Sequence, residues 1–300
     1  MSLVIRPVEH NDAESCGKIG YEAHKVISSA HGYPSEQPSE EFGIGLIKGL
    51  LDNPNSWGVL AERQSKTLGS IFLHNFPPSP VAVIGPLTVQ PSAEGSGVGK
   101  MLMDAALTQA HKQNHDQIRL VQSPSHIRSF VLYTKCRFTL REPLFLIQGQ
   151  PLKDSNNTSS INVHPVRNDS DVSVCNELCK LVHGFSREME LRQAKDQGVA
   201  TIIERNGVVT GYSAGIGILG HAVAKSNEDL KVLIANASAI LGPGFFVPAR
   251  NHEVIIWLLE NGFQIGWPAN IMTIGPYKEP LTPFLPSWHT EPKEKSFIDY

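Results

Sequence analysis

The chain is short of cysteine, has no excess of basic charge and contains no long apolar run, and each shortage removes a class of protein. Four cysteines, Cys16, Cys136, Cys175 and Cys179, are scattered through 300 residues, too sparsely for a disulfide framework. Lys and Arg total 26 against 29 Asp and Glu, a formal net charge of −3, so the basic footprint of a nucleic-acid binder is missing. No apolar stretch approaches the length of a membrane span, and the sequence opens on Leu3-Val4-Ile5 without a basic region or cleavage site. These absences give the expectation of a cytoplasmic protein with no nucleic-acid or membrane partner. With 41% hydrophobic residues the chain can bury a sizeable core, and its length suits two domains better than one.

What is present is concentrated in Gln90-Pro91-Ser92-Ala93-Glu94-Gly95-Ser96-Gly97-Val98-Gly99-Lys100. Before it runs the β-branched segment Val81-Ala82-Val83-Ile84-Gly85-Pro86-Leu87-Thr88-Val89, and after it Met103, Ala106, Leu107 and Ala110 recur at helical spacing. A strand, a glycine turn and a helix starting near Gly99 make an anion cradle. Glycines let successive backbone N–H groups approach an oxyanion, and the helix N-terminus adds roughly half a positive charge. Further on, the strand-like Ile118-Arg119-Leu120-Val121 leads into a helical pattern over 125–138.

Together these segments resemble the GNAT superfamily of N-acetyltransferases, whose acetyl-CoA loop reads Arg/Gln-x-x-Gly-x-Gly/Ala and whose later helix carries Leu-Tyr-x-x-x-Gly-Phe. The matching positions are Glu94, Gly97 and Gly99, then Leu132, Tyr133, Arg137 and Phe138. Glu94 stands in place of the usual Arg or Gln, where a carboxylate would repel a pyrophosphate, and Arg137 replaces a glycine at the helix end. Met272, Thr273, Gly275, Tyr277 and Pro280 resemble the C-terminal signature of a bacterial branch with a long second half. The resemblance implies acetyl-CoA as co-substrate. Its pyrophosphate would lie on the backbone of Gly95, Ser96, Gly97, Val98 and Gly99, with Lys100 adding charge and Glu94 at the first position of the cofactor loop. Pantetheine would pair with the main chain at Leu87 and Val89, and Ser129 would meet the cofactor's far end. Tyr133 would be the acid for the departing thiolate, since a tyrosine with a pKa near 10 stays protonated and can donate.

The halves can be laid over one another. Ile5-Arg6-Pro7-Val8 matches Val163-His164-Pro165-Val166, Glu62-Arg63 and Gly69 match Glu204-Arg205 and Gly211, and Phe138 with Pro143 matches Phe263 with Pro268. Their common order argues for two copies of one unit. The expected fold is therefore α/β (α+β), two tandem GNAT-like units, each a mixed, mostly antiparallel sheet flanked by helices. Residues 1–152 form the catalytic unit, the polar run 153–160 a linker, 161–280 a degenerate second unit, and 281–300 an extended surface tail. At the turn equivalent to the glycine loop the second copy has Ala224-Lys225-Ser226-Asn227-Glu228-Asp229, an N-cap with acidic residues that compete with an anion. Leu258 takes the register of Tyr133.

No carboxylate lies within Val81–Val89, where many relatives keep a base, leaving His74, Glu62 and His31 as substitutes. Cys175, Cys179 and His183 fall at i, i+4 and i+8 on one predicted helix. Ligands so spread span about 12 Å, too far for one zinc held at about 2 Å, so no metal site is expected. The reading is an acetyl-CoA-dependent N-acetyltransferase acting on an amine, of a small molecule because a second domain would narrow access, with 28–41 as a roof. A catalytically silent acyl-CoA-binding module is the alternative, and a homodimer is left open.

Overall fold

A computed structural model describes residues 3–75, 77, 79–152 and 161–287. The expected linker 153–160 and residues 288–300 of the expected tail lie outside the described residues.

The first half runs β1 (Val4–Pro7), α1 (Ala13–His31), α2 (Glu40–Asp52), β2 (Ser56–Arg63), β3 (Lys66–Asn75), β4 (Val81–Val89), α3 (Val98–Lys112), β5 (Gln117–Gln122), α4 (Ile127–Lys135) and β6 (Thr139–Gln148). The second runs β7 (Ile161–Pro165), α5 (Asp169–His183), α6 (Glu188–Asp196), β8 (Thr201–Arg205), β9 (Val208–Ser213), β10 (Ala222–Ala224), α7 (Asn227–Ala235), β11 (Phe245–Pro248), α8 (His252–Glu260), β12 (Gln264–Ile274) and β13 (Phe284–Leu285).

The repeat read from the sequence is visible in backbone detail. Both β2–β3 and β8–β9 are hairpins with a register shift, between Ala61 and Glu62 in one and between Ile203 and Glu204 in the other. Both turn on left-handed residue pairs, Gln64 and Ser65 at φ +54° and +59°, Asn206 and Gly207 at +51° and +74°, the turn whose twist matches that of the strands. The Phe138 N–H donates to the Tyr133 carbonyl at 3.0 Å, and the Phe263 N–H donates to the Leu258 carbonyl at 3.0 Å. Leu258 thus holds the Tyr133 register.

The sheets do not divide where the repeat does. An eight-stranded sheet has the order β1-β2-β3-β4-β5-β12-β6-β11, and a five-stranded sheet β13-β10-β9-β8-β7. β12 of the second half is inserted antiparallel between β5 and β6, and β11 adds to the outer side of β6. Ile147 of β6 therefore shares one buried cluster with Phe245, Val247, Leu258 and Phe263. The same face of the sheet is covered at β3–β5 by α3, whose Leu102, Met103, Ala106 and Ala110 pack on Ile71, Leu73, Ala82 and Ile118. From residue 281 the expected surface tail instead forms β13 on β10. Its apolar pair Phe284 and Leu285 is buried there, which releases more free energy than exposure of two large side chains.

Cys175 and Cys179 lie in the core of the second half with Val172, Leu178 and Tyr212, and burial pushes both thiols up. His183 is buried too, its ring edge-on to Phe284 at 5.1 Å.

After α4 the chain turns through a residue at positive φ, a role the second copy gives to Gly262 at +85° and the first gives to Arg137 at +74°. An L side chain in this region costs about 1 kcal/mol, and Arg137 is exposed, so no buried contact offsets it. Arg137→Gly is expected to stabilise the fold by about 1 kcal/mol, read as a higher midpoint in urea unfolding with an unchanged slope. A lower midpoint would show that the arginine makes a contact worth more than the strain.

Candidate functional site

The site begins where two parallel strands separate. β4 and β5 pair only at Val81–Gln117, Ala82–Ile118 and Val83–Arg119. On its other side β4 shifts register against β3, from Leu73 opposite Ile84 to Ile71 opposite Leu87. Gly85 and Pro86 bulge at the shift. Gly85 takes φ +151°, accessible to glycine, and Pro86 has no N–H to lose. The bulge is clasped by His74, whose Nε2 lies 2.6 Å from the Gly85 carbonyl and Nδ1 2.8 Å from the Ser56 hydroxyl. A carbonyl only accepts, so Nε2 carries the proton and Nδ1 receives the hydroxyl. Burial pushes the His74 pKa down to about 4, so the ring is neutral. It is a structural clasp, and the suggestion of His74 as a base fails on this geometry. The other two suggestions fail as well. Glu62 accepts from Arg6 Nε at 3.0 Å, and His31 is exposed, stacked on Tyr33. Neither lines the cavity described next.

Beyond Val83 and Arg119 the split opens into a cavity of about 860 Å³, within the size range of small-molecule sites. Leu87, Val89, Glu94, Gly95, Gly97, Gly99, Lys100, Ser129 and Tyr133 all line it. The Gln90 N–H donates to the Leu68 carbonyl. By the alternation of an antiparallel ladder, Leu87 and Val89 then turn their N–H and C=O groups away from β3 and into the split. Gly95 and Gly97 have φ +76° and +88°, and a Cβ at either would meet nothing within 4 Å, so the loop presents bare backbone to open space. Gly97 is the N-cap of α3 and no side chain caps that helix, leaving its first N–H groups aimed outward. Ser96 and Val98 do not line the cavity, and the Ser96 N–H donates to the Ala93 carbonyl at 3.4 Å. The Ser96 hydroxyl donates to the Ala93 carbonyl at 2.6 Å, and the Val98 side chain is buried in the core.

Three side chains behave differently from the sequence reading. Glu94 is not a bare carboxylate, since Arg128 Nη1 lies 2.7 Å from its Oε2. Lys100 Nζ is tied to Asp104 at 2.5 Å, so its charge is shared along α3. Ser129 donates to the His126 carbonyl at 2.8 Å, so its hydroxyl braces the start of α4. Tyr133 is buried, its ring tilted on Phe138 with centroids 6.0 Å apart. Among the described residues its hydroxyl has no hydrogen-bond partner, and the residue lines the cavity. Burial raises its pKa above the ordinary tyrosine value, so the proton stays on.

Several lining residues escaped the sequence reading. His24 and Glu36 face each other, Nδ1 to Oε2 at 3.2 Å, each less than a fifth exposed, on the wall made by α1 and the segment after it. The expected roof is thus partly right: Ser28 and Glu36 line the cavity, although α1 continues to His31. Helical spacing of His24, Ile27 and Ser28 was the available signal. Ile218, Phe246 and Trp267 close the cavity from the second half. Asn270 of β12 donates to Gln122 Oε1 at 3.0 Å, and Gln122 Nε2 in turn reaches the Ser129 hydroxyl at 3.3 Å. No sequence pattern joins Gln122 to Asn270.

A cradle of unpaired N–H groups, a split between parallel strands and a protonated tyrosine in one cavity agree with the family comparison. Residues 22–138 match the acetyltransferase (GNAT) family model. The chain carries a GNAT acetyltransferase domain. The whole chain is similar in fold to a Pyrococcus horikoshii protein provisionally assigned as an acetyltransferase, at a TM-score of 0.72 and 16% identity, covering 97% of this chain and 96% of that one. A tandem GNAT protein from the clavulanic acid biosynthesis pathway aligns at a TM-score of 0.53 and 16% identity, over 92% of this chain and all (100%) of the other. A GCN5-related N-acetyltransferase from Sphaerobacter thermophilus aligns at 0.59 and 12% identity, over 92% and 97%. No curated protein matches by sequence. The two halves thus have the tandem GNAT fold, and the family is one of acyltransferases. Among the described residues no helix is long and apolar enough to cross a membrane.

The Glu94–Arg128 pair of the GNAT domain sits beside the glycine loop, which makes its charge balance testable. Arg128→Gln leaves the Glu94 carboxylate uncompensated and should weaken coenzyme A binding by a few fold, in keeping with a half-exposed pair. Glu94→Gln frees the guanidinium and should tighten binding, and the double variant should return near the wild-type value. Calorimetric titration at low and high salt reads this, with all three differences shrinking as salt rises. Equal affinities at low salt would show that neither group senses the ligand.

Proposed function

We propose that the protein is an acetyl-CoA-dependent N-acetyltransferase whose acceptor is the amine of a small molecule. The carrying observation is that Tyr133, whose hydroxyl is protonated and has no partner among the described residues, lines the same cavity as the uncapped N-terminus of α3 and the inward-turned amides of Leu87 and Val89. The cradle fits the cofactor: a Cβ at Gly95 or Gly97 would stand in open space, as expected where backbone is bared to an anion. The N–H groups of the Gly97–Lys100 turn would hold the pyrophosphate, and the main chain of Leu87 and Val89 the pantetheine amides. Acetyl-CoA supplies an activated thioester, whose acyl carbon accepts the amine and whose sulfur departs.

This chain's part is positioning and proton management. Tyr133 Oη holds the proton that the departing sulfur takes up, and its burial keeps that proton in place at neutral pH. On the acceptor wall the Glu36 carboxylate beside His24 favours a cationic amine and offers a path for the proton it must lose. Ile218, Phe246 and Trp267 bound the acceptor side, which supports a small acceptor over a protein tail. The silent-module alternative rests on a repulsive Glu94 and on the missing strand acid; the Arg128 partner answers the first, while β4 still carries no carboxylate.

Tyr133→Phe keeps the ring and removes the proton. It should lower kcat by 10²- to 10⁴-fold, the usual worth of a positioned acid, with acetyl-CoA affinity nearly unchanged. Free-thiol release with a panel of amines, on protein shown to be folded, measures it. Turnover within a few fold of wild type would make Tyr133 a core aromatic.

A further inference from the structure

A second cavity, of about 70 Å³, lies on the other face of β5, between the large sheet and the second half. It shares only Leu120 and Val121 with the first. Successive residues of β5 point to opposite faces, so Leu120 enters the core under α3 while Arg119 enters this cavity. Around it stand His183, Phe185, Arg187, Glu190 and Tyr277.

The Arg119 guanidinium is stacked between two rings, its carbon 4.5 Å from the Phe185 centroid and 5.5 Å from that of Tyr277. The stack leaves only the edge of the group available. Nε donates to Gln117 Oε1 at 2.5 Å, while among the described residues the terminal nitrogens have no acceptor. Arg187 is paired with Glu190 through Nε and donates from Nη2 to the Ser287 hydroxyl at 2.6 Å. Glu190, the carboxylate in this wall, is therefore engaged through Oε2, with His221 Nδ1 3.9 Å from the same oxygen. His183 is 7% exposed and its buried Nδ1 has no partner. Burial, with Arg119, Arg187 and Lys278 nearby, holds its pKa well below the ordinary value. A neutral imidazole still carries one N–H to give. Two guanidinium groups thus face one carboxylate, and a half-buried guanidinium with unpaired terminal nitrogens beside a buried, unsatisfied ring nitrogen favours a negative group that completes both.

We infer that this cavity is a binding site for a small oxyanion, a phosphate or carboxylate group, received by the terminal nitrogens of Arg119 and by His183 Nδ1–H. The planar guanidinium edge matches the oxygen spacing of either group. The volume admits a few waters' worth of ligand, which suits inorganic phosphate or a short carboxylate and excludes a nucleotide. Because Arg119 belongs to the first half and His183 to the second, the anion would fasten the halves together.

The test uses the full chain with coenzyme A present, so that the glycine loop is not the site being read. Thermal unfolding is followed while sodium phosphate or sodium acetate is titrated against sodium chloride of equal ionic strength, and the imidazole signals of His183 are followed by NMR. The expected result is a saturable rise in Tm with at least one of the two anions, together with a shift of the His183 signals. A response to phosphate alone assigns phosphate, and to acetate alone a carboxylate. Arg119→Lys, which keeps the charge but loses the fork, should weaken the response at least tenfold, and Arg119→Gln should abolish it. If neither anion acts beyond chloride on Tm or on His183, or if folded Arg119→Gln responds as wild type, the proposal is overturned. Should Arg119→Gln not fold, the His183 titration in the wild type and the Arg119→Lys comparison decide it.

Discussion

Where β4 and β5 part after Val83 and Arg119, a row of backbone amides loses its ladder partner inside a folded protein. Unpaired main-chain groups of this kind are costly when no water or ligand reaches them. The separation is tolerable because it opens a cavity, and it is enforced by the bulge at Gly85 and Pro86 under the His74 clasp. The rest of the site follows from it. The amides of Leu87 and Val89 face the gap, α3 begins at its mouth, and α4 brings Tyr133 across it. A ligand with amides and phosphates restores the pairing that the strands give up.

The second half completes the sheet that carries this gap. β12 supplies the neighbour of β5, and Asn270 reaches through Gln122 to the hydroxyl of Ser129 at the start of α4. Its own cradle position is closed: the Ser226 hydroxyl caps α7 by accepting from the Asp229 N–H at 3.2 Å, and Asp229 is paired with Arg205 at 2.6 Å. One copy thus keeps the anion-binding helix end while the other satisfies it internally and contributes walls and a strand. The duplication explains the shared hairpins and turns, and their different helix caps explain the division of labour.

Features set by local chemistry were readable in the sequence. The glycine loop, the helix it opens and the Tyr133 to Leu258 replacement depend on neighbours a few residues away. Pairings across the chain were not readable. Nothing near Gln264–Ile274 says that this strand enters the other half's sheet, because strand pairing is decided by which edges meet after collapse. The Arg128 partner of Glu94 and the His24–Glu36 pair were hidden for the same reason. Long side chains find partners from other elements, and spacing along one element does not reveal them. His74 shows the converse: a histidine on a strand invites a chemical role, yet both its nitrogens are spent on holding a bulge.

The central claim is that the gap between β4 and β5, with the glycine loop at its mouth, is where acyl-CoA sits. Amide hydrogen exchange of the full chain with and without acetyl-CoA tests it most directly, since binding slows exchange of the amides it covers or stabilises. The account predicts slowed exchange in peptides covering 87–89 and 95–100 and in those across α4. Unchanged exchange there, with slowing confined to α7 and β10, would place the ligand in the other copy and contradict the account.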